Sequence, residues 1–200
     1  MLPAVSTAIG ICETYGFSFR TDILGDLLFD YHNGQSEYFG AKGHLVPPDG
    51  GFWSSRSVDL NIISQVYICS SAMEAIAFLY FNAARFNRQR EILFIAIGPR
   101  YTYPVELFKQ LGKVRINLVL GNSLIDILCA VRFCMDYKCT EVHFTLQDES
   151  VVFRFSELVF YIPQHRLCLR QVFLMANIRP FFRQYLPKSK ISFLYEFLNQ

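Results

Sequence analysis

Gln65-Val-Tyr-Ile-Cys-Ser-Ser-Ala-Met-Glu-Ala-Ile-Ala77 begins as a run that is apolar on both faces, passes through two serines, and continues as an apolar helical pattern. A short run of the first kind suits a strand covered on both sides by helices. Ser71-Ala-Met-Glu74 has the S-x-x-[DE] spacing that opens a helix. The pattern then recurs: Ile92–Ile97 reads as a strand, Pro104–Leu111 as a short helix, Arg115–Leu120 as a strand and Leu124–Tyr137 as a helix. The helix from Ala72 is apolar nearly all round as far as Phe86, which places it deep in the structure. The fold expected is α/β, with three layers and a mostly parallel sheet flanked by helices.

On either side the periodicity changes. Asp26–Tyr31 and Ser36–Phe39 flank Asn33-Gly34, a hairpin signal, and Val46-Pro-Pro-Asp-Gly-Gly-Phe52 interrupts regular structure. Residues 1–50 therefore read as a small amino-terminal unit and 51–140 as the α/β core. In 141–200, Glu141–Leu146, Val151–Phe155 and Leu158–Ile162 read as antiparallel strands. Val172–Ala176 and Phe181–Tyr185 follow as helices, the second ended by Pro187, and the whole extension is expected to pack on the core.

The chain of 200 residues is 52% hydrophobic and 18% charged, enough for a substantial core with apolar surface left for a partner or a second copy. No apolar run reaches the length of a membrane span, and the first residues lack a signal-peptide pattern. A cytoplasmic protein is expected, and the six cysteines, which form no C-x-x-C pair, read as buried free thiols.

The stretch quoted above resembles the first motif of Toprim domains, the fold of bacterial primases, topoisomerases and primase-like proteins of mobile elements. In that family a strand ends in a glutamate at the head of a helix, and a later strand ends in an Asp-x-Asp pair whose carboxylates hold magnesium. Here Ser70 stands at the glutamate position. Leu118-Val-Leu-Gly-Asn-Ser123 resembles the later strand, with Gly121 and Ser123 in place of the aspartates. The resemblance spans about residues 62–137 and implies a Toprim-like domain, in a DNA-processing or mobilisation context, whose catalytic positions have degenerated.

Mg²⁺ requires charged oxygen ligands, and phosphoryl transfer relies on the ion to neutralise developing charge. Serine and glycine supply neither, so no catalytic residue, metal site or cofactor is expected. Ser71–Glu74 and Ser123–Asp126 both read as helix capping boxes. The alternative for Glu74 and Asp126, joined by Asp136, is a displaced magnesium site for phosphodiester chemistry. His32, His44, His143 and His165 have no metal-ligand spacing, and neither a G-x-S-x-G elbow nor a phosphate-binding glycine loop is present.

Charge is distributed unevenly. Acids outnumber bases over residues 1–60, whereas Arg85, Arg88, Arg90, Arg100, Lys113 and Arg115 dominate 85–115, and the six bases between Gln164 and Lys190 have no acid among them. Because Arg85, Arg88 and Arg90 follow a helix while Lys113 and Arg115 lead into a strand, they are expected to border one end of the sheet. They read either as a solvated basic rim or as phosphate contacts. The function expected is a DNA-binding or scaffolding module. The alternative is a protein-interaction module that pairs with a relaxase- or primase-like partner or with itself.

Overall fold

The computed structural model describes residues 3–56, 60–86, 91–100, 104–111, 113–155 and 157–200. It is a mixed α/β structure in which contacts group the chain into two units, Met1–Gly121 with Phe182–Gln200, and Asn122–Phe181. This grouping differs from boundaries at residues 50 and 140, because the last 19 residues of the chain return to the first unit and the helix after Gly121 leaves it.

The first unit begins with helix α1 (Pro3–Tyr15), which buries Val5, Ala8 and Cys12 along one face. Strands β1 (Arg20–Thr21), β2 (Leu27–Asp30), β3 (Ser36–Gly40) and β4 (Gly43–Leu45) then form an antiparallel meander. The expected hairpin is present between β2 and β3, with Asp30 opposite Ser36 and Gly34 at a φ of +82° in the turn. Such a backbone angle favours glycine there.

A five-stranded sheet forms the centre of this unit. It contains β5 (Trp53–Ser54), β6 (Gln65–Cys69), β7 (Ile92–Ala96), β8 (Arg115–Val119) and β12 (Phe182–Gln184), in the order β12-β8-β6-β7-β5. β12, β8, β6 and β7 run parallel, while β5 pairs antiparallel with β7, so the sheet is mixed. The central strands are buried on both faces, as their uninterrupted apolar sequence requires.

Helix α2 (Ala72–Asn82) is buried from Ala72 to Leu79 and continues as a 3-10 turn over Ala83–Arg85. It packs on α1 and on α6 (Phe193–Leu198), and α3 (Val105–Leu111) follows β7. Tyr67 stacks on Phe94 at 4.9 Å, and Phe78, Phe86 and Tyr185 meet the same cluster mostly edge-on, the arrangement that aromatic quadrupoles favour.

The structure overturns the helix expected over Phe181–Tyr185. Phe182 and Gln184 alternate with exposed Arg183 at the period of a strand, β12 pairs with β8 from Ile116 to Leu118, and the Tyr185 amide donates to the Leu118 carbonyl at 2.8 Å. Three residues are too few for a period of two to be distinguished from helical spacing.

The second unit contains α4 (Leu124–Tyr137), α5 (Leu169–Met175) and an antiparallel sheet of β9 (His143–Gln147), β10 (Ser150–Phe155) and β11 (Leu158–Pro163), in the order β11-β10-β9. Asp148 and Glu149 form the two-residue turn between β9 and β10, both at positive φ, as a type I′ hairpin requires. Phe153, Phe155 and Phe160 stack on the buried face of this sheet.

Candidate functional site

β6 and β8 lie side by side, with Cys69 opposite Val119, so Ser70 and Gly121 follow neighbouring strands at the same carboxyl edge of the sheet. The Ser70 carbonyl accepts the Gly98 amide at 3.0 Å, tying this turn to the end of β7. Ser71 caps α2 by accepting the Glu74 amide at 3.0 Å. Ser123 belongs to the second unit, where it caps α4 and completes a capping box with Asp126.

A carboxylate does reach the carboxyl edge of β6, and it comes from the amino-terminal meander. Glu37 is fully buried. Its Oε2 accepts the Ala72 amide at 2.7 Å and the Tyr31 hydroxyl at 2.8 Å, and its Oε1 accepts the Met73 amide at 2.9 Å and bonds His44 Nε2 at 2.8 Å. A carboxylate offers about four lone-pair directions, and here four partners take them. Its negative charge lies on the partially positive start of α2. Burial first, and then Glu37 itself, push the Tyr31 hydroxyl well above the ordinary tyrosine range, so it stays a donor. The arrangement closes the helix start and leaves Glu37 without capacity for a metal ion.

Glu74 is buried too and does not complete a box with Ser71. Its two oxygens accept the Phe193 and Leu194 amides at 2.6 and 2.9 Å, which caps α6 from across the unit. Asp126 and Asp136 lie ten residues apart on α4, roughly 15 Å along the axis, too far to share one ion. Asp136 faces Arg132 at 4.0 Å. Among the described residues, no group of three or more His, Cys, Asp and Glu side chains is placed to hold a metal.

The opposite, amino edge of the same sheet is different in character. Gln65, Ile92 and Arg115 open β6, β7 and β8 there, and the carboxyl end of α2 comes down beside them with Phe78, Arg85 and Phe86. Together with Tyr67, with Arg183 and Gln184 of β12 and with Tyr185 just after it, they line a cavity of about 700 Å³. Among the described residues, no carboxylate lines it. Neither Arg85 nor Arg115 has an ion-pair partner among the described residues.

Two polar contacts lie in this cavity. Arg183 donates to the Tyr185 hydroxyl at 3.4 Å, and Tyr67, whose ring lies 6.0 Å from that of Tyr185, donates to Gln65 Oε1 at 3.4 Å. Burial, and then Tyr185, hold the Tyr67 hydroxyl protonated well above the ordinary tyrosine range.

Of the basic residues singled out in the sequence, the cavity brings together Arg85 and Arg115. Lys113 is exposed two residues before β8, outside the lining, and Arg100 follows the carboxyl end of β7, away from the edge that Arg115 opens. Arg88 and Arg90 lie outside the described residues. Arg183 is the member that sequence reasoning missed, because it was one arginine in a stretch read as helix. The acid-free run from Gln164 to Lys190 was the available signal.

Among the described residues no helix is long and apolar enough to cross a membrane. Compared with protein-family models, with curated proteins and with solved structures, the chain matches none of them.

Proposed function

We propose that this chain is a catalytically degenerate Toprim-like module that binds nucleic acid, in the context of DNA processing or mobilisation, without cutting or synthesising it. The observation that carries the reading is the clustering of Arg85, Arg115 and Arg183 around one cavity that no acid lines among the described residues. Guanidinium groups held together without carboxylates attract phosphates, which is the main source of affinity in non-specific nucleic-acid binding.

Three features support the Toprim-like part: the parallel β6, β7 and β8, the helix start directly after Ser70, and Gly121 at the matching end of β8. The loss of catalysis is supported by the chemistry of the carboxyl edge, where serine and glycine replace acids and the nearby Glu37 is saturated by hydrogen bonds.

The test is titration of labelled single- and double-stranded DNA at two salt concentrations, with and without Mg²⁺. With three phosphates neutralised, log K for a single strand should fall against log salt with a slope of about −2, on the order of 20-fold between about 50 and about 200 mM. Mg²⁺ should leave the DNA intact. Absence of binding at low salt, or binding indifferent to salt, would end this reading. A concentration-dependent mass in that case would favour an interaction module, for which the exposed Ile23 and Leu24 at the tip between β1 and β2 offer apolar surface.

A further inference from the structure

We infer that the cavity at the amino edge of the sheet holds the terminal phosphorylated nucleotide of a single strand, with its phosphate among Arg85, Arg115 and Arg183. The inference rests on the nucleic-acid reading above and specifies what that surface selects.

A basic surface that tracks a duplex need only be a ridge or stripe. Here the arginines surround a recess of about 700 Å³, within the roughly 300–1,000 Å³ typical of small-ligand sites. A base paired and stacked inside a duplex cannot enter such a recess, whereas an unpaired nucleotide can.

The lining divides by chemistry. Three arginines supply up to five N–H donors each, and among the described residues one of those donors is hydrogen-bonded within the lining, from Arg183 to the Tyr185 hydroxyl at 3.4 Å. A phosphate monoester carries about −1.5 to −2 charge near pH 7, a better match to three cations than the single charge of a bridging diester. Beside Arg183, whose guanidinium lies 6.0 Å from the ring centroid, the half-buried ring of Tyr185, braced by Phe78 at 5.2 Å and Tyr67 at 6.0 Å, offers a surface for a base. Base–aromatic stacking is tolerant of sequence, and the Gln65 and Gln184 amides stand beside it as donors and acceptors for a base edge. A free nucleoside monophosphate has the same chemistry, so the experiment separates the two sources.

The full chain is titrated by fluorescence anisotropy with one internally labelled oligothymidylate bearing a 5′-phosphate, a 3′-phosphate or neither, and thymidine monophosphate is run as competitor. One terminal phosphate is expected to tighten binding by about tenfold, the scale of a charge-assisted hydrogen-bond pair. Arg115→Gln and Arg183→Gln, both at exposed side chains, are each expected to remove that preference. Unchanged melting curves for the two variants ensure that the comparison reads the site.

Equal, salt-sensitive binding of all three strands would overturn the terminal-nucleotide assignment and leave the nucleic-acid reading standing. No binding of any strand at low salt would remove both. Thymidine monophosphate binding as tightly as the phosphorylated strand would assign the cavity to a free nucleotide and overturn its assignment to a strand end.

Discussion

Glu37, on β3, accepts the Ala72 amide at 2.7 Å and so places a buried carboxylate from the amino-terminal meander on the first turn of α2. The same carboxylate binds Tyr31, His44 and Met73. Removing an acceptor with four partners, three of them buried, leaves donors unsatisfied, and hydrogen bonds to a charged group carry about 1.5–3 kcal/mol each in the most favourable cases. Glu37→Gln retains the shape but turns one acceptor into a donor facing other donors. It is expected to destabilise the first unit by about 2–3 kcal/mol, a fall in melting temperature on the order of 5–10 °C. The single tryptophan, Trp53, is buried between Phe17 and Phe29 of that unit, so its fluorescence follows the transition. A melting temperature within a degree of the parent's would refute the role given to Glu37.

Glu74 holds the end of the chain in place. Because its two oxygens take the Phe193 and Leu194 amides, Glu74→Ala should loosen α6, a six-residue helix whose remaining side-chain cap is Ser192. Limited proteolysis should then cut within about residues 186–200 well before the rest of the unit unfolds. Phe193, Leu194 and Phe197 are buried, so the loss should also lower stability by about 2–4 kcal/mol. If α6 keeps the protection it has in the parent chain, Glu74 is not its anchor.

The sequence made legible those parts of the fold that depend on neighbours in the chain. β6, β7 and β8 are apolar on both faces, and Ser123–Asp126 places its capping box from four consecutive residues. Helix α1 was missed because its buried stripe, Val5, Ala8 and Cys12, is built from small residues that give weak periodicity. β12 was misread because its strand partner among the described residues, β8, lies more than 60 residues earlier. The candidate site suffered most from this distance. Arg85 and Arg115 were visible as a basic segment, but their cavity is closed by Arg183, Gln184 and Tyr185. The carboxylates of Glu37 and Glu74 likewise act on helix starts 35 and 119 residues away.

The β2–β3 hairpin should respond to acid through one ion pair. Arg20 donates twice to Asp30, at 2.6 Å each, and Ser36 donates once at 2.6 Å. Arg20 first, and then Ser36, hold the Asp30 carboxyl below the ordinary range. Its folded value therefore lies below the unfolded value of about 3.9, so the pair's contribution is complete above the unfolded value and is lost as pH falls through the folded one. The two side chains are 59% and 48% exposed, and solvent screening keeps the pair's contribution small. Asp30→Asn should melt slightly below the parent near neutral pH, with the gap closing below about pH 4 and also in high salt. A gap that persists unchanged at low pH would assign it to something other than this carboxylate's charge.

The six thiols should separate into two classes under alkylation. Burial pushes Cys12 up to about 12 and Cys129 up to about 11, and it holds Cys69 and Cys134 well above the ordinary thiol range. Since the thiolate is the nucleophile, these four should resist iodoacetamide near neutral pH while the chain is folded. Cys139, in the turn after α4, and Cys168, at the start of α5, are exposed. Mass spectrometry is expected to find these two modified first, and the remaining four only after guanidinium unfolds the chain. Early labelling of Cys12 or Cys69 would mean that α1 or β6 opens far more readily than their complete burial allows.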